Sequence, residues 1–163
     1  MLTDSERFAF ETRRHHAFAS TGNAYDASQC DEAIRTGDTL IVLAEQRNID
    51  LGLLPTSVTQ VPLRCSVADL RSVLDNLIEN ALRYTPAGGV VDVVATRLQG
   101  RPVLQVIDDG PGVPPALLAG LVRPFDRGGP GHALEGSGLG LAMVATIARQ
   151  SGARLQLQSP PAE

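Results

Sequence analysis

Residues 75–86 read Asp-Asn-Leu-Ile-Glu-Asn-Ala-Leu-Arg-Tyr-Thr-Pro and belong to the stretch from Ser66 to Pro86, which decides the fold. Apolar residues recur there at the spacing i, i+3, i+4, i+7, which predicts a helix with one buried face. The residues of that face are Leu70, Val73, Leu74, Leu77, Ile78, Ala81 and Leu82. Ser66 and Asp69 have the spacing of a capping box, and Pro86 ends the helix. The fold is therefore expected to form around this amphipathic helix.

A row of polar residues runs beside the apolar face of the same helix. At about 100° per residue, Asn76, Asn80 and Arg83 point in similar directions. Two carboxamides and a guanidinium in line could bind a metal ion and contact phosphate oxygens. For this helix alone a solvated face is the simpler interpretation, but two glycine-rich segments downstream favour a binding site.

The composition is that of an ordinary globular domain. The chain has 163 residues, 43% of them hydrophobic and 20% charged, which suits one domain with a core. A formal net charge of −4 shows no basic excess, so nucleic acid is not an expected partner. No apolar run reaches the roughly 18 residues of a membrane span, and no secretory signal opens the chain. We therefore expect a cytoplasmic chain without direct membrane contact. Cys30 and Cys65 match no metal or redox spacing and are expected to be reduced, buried or incidental.

The first 38 residues carry no sustained pattern. His15 and His16 could bind a metal or accept a phosphate, but adjacent residues on a helix point about 100° apart and no third ligand is in view. We interpret them as surface histidines. The readable domain spans residues 39–163.

Periodicity predicts the other elements of that domain. They are a helix at 39–48, a strand at 49–53, an extended segment at 58–63, strands at 90–98 and 103–108, a helix at 139–150 and a strand at 154–158. The turn at 99–100 predicts a hairpin, and Gly152 is placed as a helix C-cap. Residues 110–138 are too long for an ordinary loop and predict a functional lid or a disordered segment.

The first glycine segment, Asp108-Asp-Gly-Pro-Gly112, ends the second strand of the predicted hairpin. Asp108 continues the apolar face of that strand and is expected to point into the interior, whereas Asp109 points away. A buried carboxylate needs a hydrogen-bond partner, and the exocyclic amine of adenine would be one. Gly110 and Gly112 would let the backbone approach the base. A plain Asp-Gly turn has the same sequence, so this segment alone is a weak signal.

The second glycine segment, Gly136-Ser-Gly-Leu-Gly140-Leu, opens a predicted helix. Three glycines before a helix N-terminus offer amides and a favourable dipole to phosphates. The spacing is neither that of the dinucleotide fingerprint nor that of a Walker loop. A flexible hinge would explain the segment equally well when it is taken alone.

Together, in this order, the segments resemble the ATP-binding boxes of bacterial sensor histidine kinases in the GHKL superfamily. Asn76-Leu-Ile-Glu-Asn-Ala-Leu-Arg-Tyr84 resembles the N box, residues 108–112 the G1 box and residues 136–141 the G2 box. Pro124-Phe-Asp-Arg127 resembles the F box of the lid. The resemblance covers about residues 40–159. It includes a resemblance to QseC-type kinases, whose partners are OmpR-like response regulators.

The resemblance implies an α+β fold, a two-layer sandwich with a mixed sheet on one side, three helices on the other and a flexible ATP lid. The nucleotide-binding residues it implies by position are Asn76, Asn80, Arg83, Tyr84, Asp108, Gly110, Gly112, Gly136, Gly138, Leu139 and Gly140. Asn80 would help bind Mg²⁺ against the ATP phosphates, with Asn76 in support. Asp108 would read the adenine amine. Asn80 and the lid residue Arg127 would act in catalysis, with Arg127 steadying the γ-phosphate.

The same residues distinguish phosphoryl transfer from hydrolysis. ATP-hydrolysing relatives in the gyrase, Hsp90 and MutL group place a glutamate base one turn before the metal-binding asparagine. Asn76 occupies that position here and cannot take a proton at neutral pH. Glu79 points about 100° away from Asn80. Transfer to a protein side chain, the activity of a protein histidine kinase, is therefore favoured.

The resemblance is incomplete at both ends of the chain. None of His15, His16 and His132 has the context of a phosphate-accepting histidine. The acceptor is therefore expected on a dimerisation domain supplied elsewhere, with the parent protein anchored in the bacterial inner membrane. The family's usual last strand is expected to be lacking, which would leave a sheet edge uncovered. A nucleotide-dependent partner-binding module of the anti-sigma switch kinase type and a truncated pseudokinase remain as alternatives.

Overall fold

The computed structural model describes residues 15–19, 24–26, 38–54, 60–62, 65–99, 101–118, 120–121 and 138–159. The strands are β1 (His15–Ala19), β2 (Ala24–Asp26), β3 (Asp50–Leu53), β4 (Gln60–Pro62), β5 (Val90–Leu98), β6 (Arg101–Asp108) and β7 (Leu155–Gln158). The helices are α1 (Asp38–Gln46), α2 (Val67–Tyr84), α3 (Pro115–Leu118) and α4 (Gly140–Gln150). Every element predicted downstream of residue 38 is present, within a few residues of its expected bounds.

Five strands form a mixed sheet in the order β3-β5-β6-β1-β7. β3 pairs with β5 in parallel, and the other neighbours are antiparallel. The predicted hairpin is the β5–β6 pair, whose turn places Gln99 at a positive φ of 52°. β2 and β4 pair separately as a two-stranded sheet. The predicted mixed sheet is thus confirmed.

The core lies between this sheet and three helices. All the apolar residues predicted for the inner face of α2 are buried. They share one cluster with Val91 and Val93 of β5, with Ala44 of α1 and with Val144 of α4. Because α1, α2 and α4 contribute to the same cluster as the sheet, the molecule has the predicted two-layer α+β architecture.

Local hydrogen bonds set the ends of α2. Ser66 Oγ accepts from the amide of Asp69 at 3.0 Å, and the amide of Ser66 donates to Asp69 Oδ2 at 3.4 Å, which is the predicted capping box. At the other end, the buried Thr85 donates its hydroxyl to the Ala81 carbonyl at 2.7 Å. The helix therefore ends at Tyr84, two residues before Pro86, as its sequence predicts.

β1 is the main difference from the sequence-based expectation. Residues 15–19 carry no readable pattern, yet they form a strand between β6 and β7 and pair antiparallel with both. Ala17 lies opposite Val106 on one side and Leu157 on the other. A segment far away in sequence therefore covers the edge of β6, a pairing that no local pattern indicates.

Cys65 lies just before α2 and is half-buried. Burial raises the pKa of its thiol, and the nearby Asp69 carboxylate raises it further. A thiol held in its protonated form is a poor nucleophile, which agrees with the incidental role expected for it. Cys30 lies outside the described residues.

Candidate nucleotide-binding site

The polar row on α2 borders the core, as its spacing predicts. Asn76, Asn80 and Arg83 are each half-buried on successive turns of the helix. Arg83 is held by an ion pair with Glu79, whose carboxylate lies 2.5 Å from its guanidinium. This pair keeps the Glu79 carboxylate, half of which is exposed, on the outer side of the helix.

Asn76 joins α2 to the N-terminus of α4. Its amide donates to the Ser72 carbonyl at 2.7 Å and to Met143 Sδ at 3.7 Å. A Cβ atom placed on Gly140 would lie 2.7 Å from Asn76 Oδ1. The N-box helix and the G2-box helix are thus in direct contact at this point.

The loop after β6 meets the C-terminal end of the same helix. Asp108 is half-buried, and its Oδ1 accepts a hydrogen bond from the amide of Gly110 at 2.9 Å. A Cβ atom on Gly110 would lie 2.6 Å from that oxygen and 3.3 Å from the Tyr84 carbonyl oxygen. Only glycine fits between the carboxylate and the end of α2. The side chain of Tyr84 is 43% exposed beside this junction.

Asp109 has a different role from its neighbour. Its Oδ2 accepts from the amide of Val90 at 3.1 Å and so braces the start of β5. The two adjacent carboxylates are therefore directed to different partners, in agreement with the alternation expected along a strand. Gly112 follows with a φ of 94°, a conformation that L side chains rarely adopt.

The glycine segment before α4 supplies backbone amides. Gly138 has a φ of 68°, and Leu139, the N-cap residue of α4, makes no capping hydrogen bond with its side chain. The amides and the dipole of a helix N-terminus favour an anion. Gly136 and Arg127 lie outside the described residues, so their expected roles remain predictions.

Two residues at the site were not anticipated from the sequence. Arg47, in the turn after α1, donates from Nη1 to the carbonyls of Leu82 and Arg83, at 2.9 Å each. A cation at a helix C-terminus also complements the dipole. β1 in addition brings His15 to the register position opposite Asp108. No local pattern marks either residue, because each partner lies more than 30 residues away.

We expect Arg47→Ala to lower the free energy of unfolding by about 1–2 kcal/mol, because two carbonyls at the end of α2 lose a charged donor in a partly exposed setting. Chemical denaturation would measure the change. Arg47→Lys is the matched control. It keeps the charge, but its ammonium is on a shorter side chain than Nη1 and should recover only part of the loss. An alanine variant as stable as the wild type would show that these hydrogen bonds do not support α2.

The donor groups suit a nucleotide-bound Mg²⁺ better than a protein cage. Among the described residues, no group of three or more His, Cys, Asp or Glu side chains could hold a metal. Mg²⁺ usually binds through one or two protein oxygens together with substrate phosphates and waters. A single carboxamide such as that of Asn80 fits this pattern.

The sequence matches one family model over residues 65–163, described as histidine kinase-, DNA gyrase B- and HSP90-like ATPase. The match covers more than half of the chain. The chain belongs to this family. It carries the ATP-binding catalytic domain of sensor histidine kinases, as the relatives below show.

Two curated relatives illustrate the similarity. The sensor histidine kinase Hik2 of Synechocystis is 34% identical over 125 residues, which cover 72% of this chain and 29% of that protein. The sensor protein QseC of Salmonella typhi is 41% identical over 113 residues, 67% of this chain and 23% of that protein. The predicted resemblance to QseC-type kinases is thus confirmed. The chain spans less than a third of the length of either relative.

Solved structures agree with this assignment. The mycobacterial sensor histidine kinase MprB is 26% identical with a TM-score of 0.61, covering 80% of each chain. The histidine kinase domain of the E. coli osmosensor EnvZ is 28% identical with a TM-score of 0.53, covering 85% of this chain and 80% of that one. The expected ATP-binding fold is therefore confirmed. In the described part of this chain no helix is long and apolar enough to span a bilayer.

Proposed function

We propose that this domain binds ATP with Mg²⁺ and transfers the γ-phosphate to a histidine on a dimerisation domain supplied elsewhere. The observation that carries the proposal is the meeting of three motifs on one helix. Asn76 of α2 contacts Gly140, and the Tyr84 carbonyl at the other end of α2 contacts Gly110. The segments expected to bind the phosphates and the base thereby both pack against the rigid helix α2. In-line transfer requires such positioning.

The junction at Asp108 is the proposed adenine end of the site. One carboxylate oxygen is held by the Gly110 amide, which orients the group, and the exocyclic amine of adenine would be read by the same carboxylate. Gly110 packs against Asp108 and the end of α2, and Gly112 would let the backbone approach the base. Tyr84, exposed at this end of α2, would cover the nucleotide face.

The start of α4 is the proposed phosphate end. Gly138, Leu139 and Gly140 would surround the phosphates with backbone amides, and the lid segment would supply Gly136 and Arg127. Asn80 would provide the protein ligand for Mg²⁺, which neutralises charge on the phosphates when bound. Arg83 pairs with Glu79 in this structure and would have to leave that pair to approach the phosphates from α2.

The surroundings of α2 favour transfer over hydrolysis. Asn76 occupies the position at which ATP-hydrolysing relatives carry the water-activating glutamate. Its carboxamide cannot accept a proton at neutral pH. Glu79 is engaged by Arg83 on the exposed side of the helix. A site that positions ATP without a base for water suits a protein acceptor. We further propose a cytoplasmic location, with a membrane-anchored parent kinase and an OmpR-like response regulator as the downstream partner.

Two measurements on the wild type test this function. Calorimetry should detect ATP binding that depends on Mg²⁺, and incubation with a separately supplied QseC-type dimerisation domain should yield acid-labile phosphohistidine. Asn80→Ala should weaken Mg²⁺-dependent ATP binding by at least about tenfold, since it removes a ligand to a charged group. Arg71→Ala is the control on the exposed side of α2, where its ion pair with Asp75 is solvent-screened.

The outcomes separate the alternatives. ATP binding with labelled histidine on the acceptor supports the histidine kinase. ATP binding without any phosphohistidine would favour a nucleotide-dependent binding module. No ATP binding by a folded wild type would leave the pseudokinase interpretation.

A further inference from the structure

The family resemblance assigns Asn76 to nucleotide binding, but the contacts of its side chain lie within the protein. Both hydrogen-bond contacts of its amide nitrogen are internal, to the Ser72 carbonyl at 2.7 Å and to Met143 Sδ at 3.7 Å. Its carbonyl oxygen faces the backbone of Gly140 at the start of α4. The side chain is therefore oriented from three sides by α2 itself and by the neighbouring helix.

Gly140 is glycine for reasons of space. It is helical and does not have a positive φ, so its backbone would accept any residue. Alanine is the better helix former, so a glycine here costs stability unless something requires it. The three atoms nearest to a Cβ on Gly140 all belong to Asn76: Oδ1 at 2.7 Å, Cγ at 3.6 Å and Cβ at 3.7 Å. The close approach of α4 to this one side chain is what requires glycine.

The pair determines how far α4 stands from α2. A larger residue at 140 would either turn the Asn76 side chain, which breaks its bonds to Ser72 and Met143, or push the start of α4 away. Asn80, the expected metal ligand, lies one turn along α2 from this contact. The separation between Asn80 and the amides at the start of α4 therefore depends on how Asn76 and Gly140 fit together.

We propose that Asn76 is a positioning residue, a spacer that sets α4 against α2, and does not itself bind ATP or Mg²⁺. Within the proposed ATP-binding function, on which this inference rests, Asn76 acts on the phosphates only through the placement of α4. Asn80 remains the side chain that touches the bound metal. The two asparagines of the motif thus have different roles.

A double-mutant cycle between the two positions tests the spacer. Gly140→Ala should lower the thermal midpoint of the ligand-free protein by roughly 2–6 °C, as mild overpacking does in a chain of this size. Asn76→Ala removes the two closest of the three atoms, so Asn76→Ala/Gly140→Ala should recover most of that loss. Asn80→Ala/Gly140→Ala is the matched control and should recover none of it.

Nucleotide affinity separates positioning from general damage. Gly140→Ala should weaken ATP about tenfold while changing adenosine affinity by less than about twofold, since α4 faces the phosphates and not the base. The double variant should regain ATP binding. Asn76→Ala alone should cost less than about threefold, against at least tenfold for Asn80→Ala.

Specific results would overturn the spacer role. Additive effects on the thermal midpoint would show that the two residues are not coupled. A loss of ATP affinity in Asn76→Ala as large as in Asn80→Ala, without rescue in the double variant, would make Asn76 a direct ligand. If the wild type binds no ATP, the proposed function fails, and the ligand-free thermal cycle alone decides whether Asn76 and Gly140 act as a spacer.

Discussion

Asp108→Asn is expected to weaken ATP binding by about 10- to 100-fold and to leave the fold intact. The Asn oxygen can still accept from the Gly110 amide, the bond that Asp108 Oδ1 makes at 2.9 Å. Its amide nitrogen would then face the base, where the adenine amine is also a donor. Two donors facing each other in a half-buried site leave both unsatisfied, and calorimetry would measure the resulting loss.

Base selectivity sharpens this test. Inosine triphosphate carries a carbonyl oxygen where adenine has its amine, so the ratio of ATP to inosine triphosphate affinity should fall in Asp108→Asn. Asp109→Asn is the matched control, because Asp109 braces the amide of Val90 and can keep that bond as Asn. Equal losses in the two variants would mean that Asp108 supports the turn and does not read the base.

Ala17→Pro is expected to lower the free energy of unfolding by about 1–3 kcal/mol, with about 2–4 °C of thermal midpoint lost for each kcal/mol. Ala17 is the middle residue of β1, which pairs with β6 on one side and β7 on the other. Proline removes a ladder hydrogen bond and is not accommodated inside a sheet. Among the described strands β7 pairs only with β1, so its place in the sheet is lost as well.

Ala17→Gly is the control for this substitution. It keeps the amide and removes one methyl group, so it should cost only roughly 0.5–1 kcal/mol. Chemical and thermal unfolding of the full chain would compare the two variants. A proline variant as stable as the glycine variant would show that residues 15–19 do not pair inside the sheet in solution.

The helix at the centre of the fold could be predicted nearly to its ends. Its apolar face, the capping box at Ser66 and the stop before Pro86 all depend on residues within four positions of one another. The β5–β6 hairpin and the C-cap at Gly152, with its φ of 68°, are local in the same sense. These elements were predictable because the interactions that form them join residues that are close together in the sequence.

The site residues stay a prediction, and their contacts could not be predicted from the sequence. The resemblance to sensor histidine kinases predicts that Asn80, Asp108 and the glycines share one site, and the fold places Gly110 and Gly140 against α2. The resemblance does not show that residue 140 is glycine because Asn76 occupies the space beside it. That assignment needs the distance between two helices, which no spacing along the chain contains.

By itself the sequence determined the three longer helices, most of the strands, the two-layer class and the family. Only the tertiary structure decided that β1 enters the sheet between β6 and β7, that Arg47 binds the end of α2 and that Asn76 meets Gly140. The physical reason is the same in each case. Periodicity and caps arise from neighbours in the chain, whereas these contacts join groups 35 or more residues apart and form only when the packed core sets their separation.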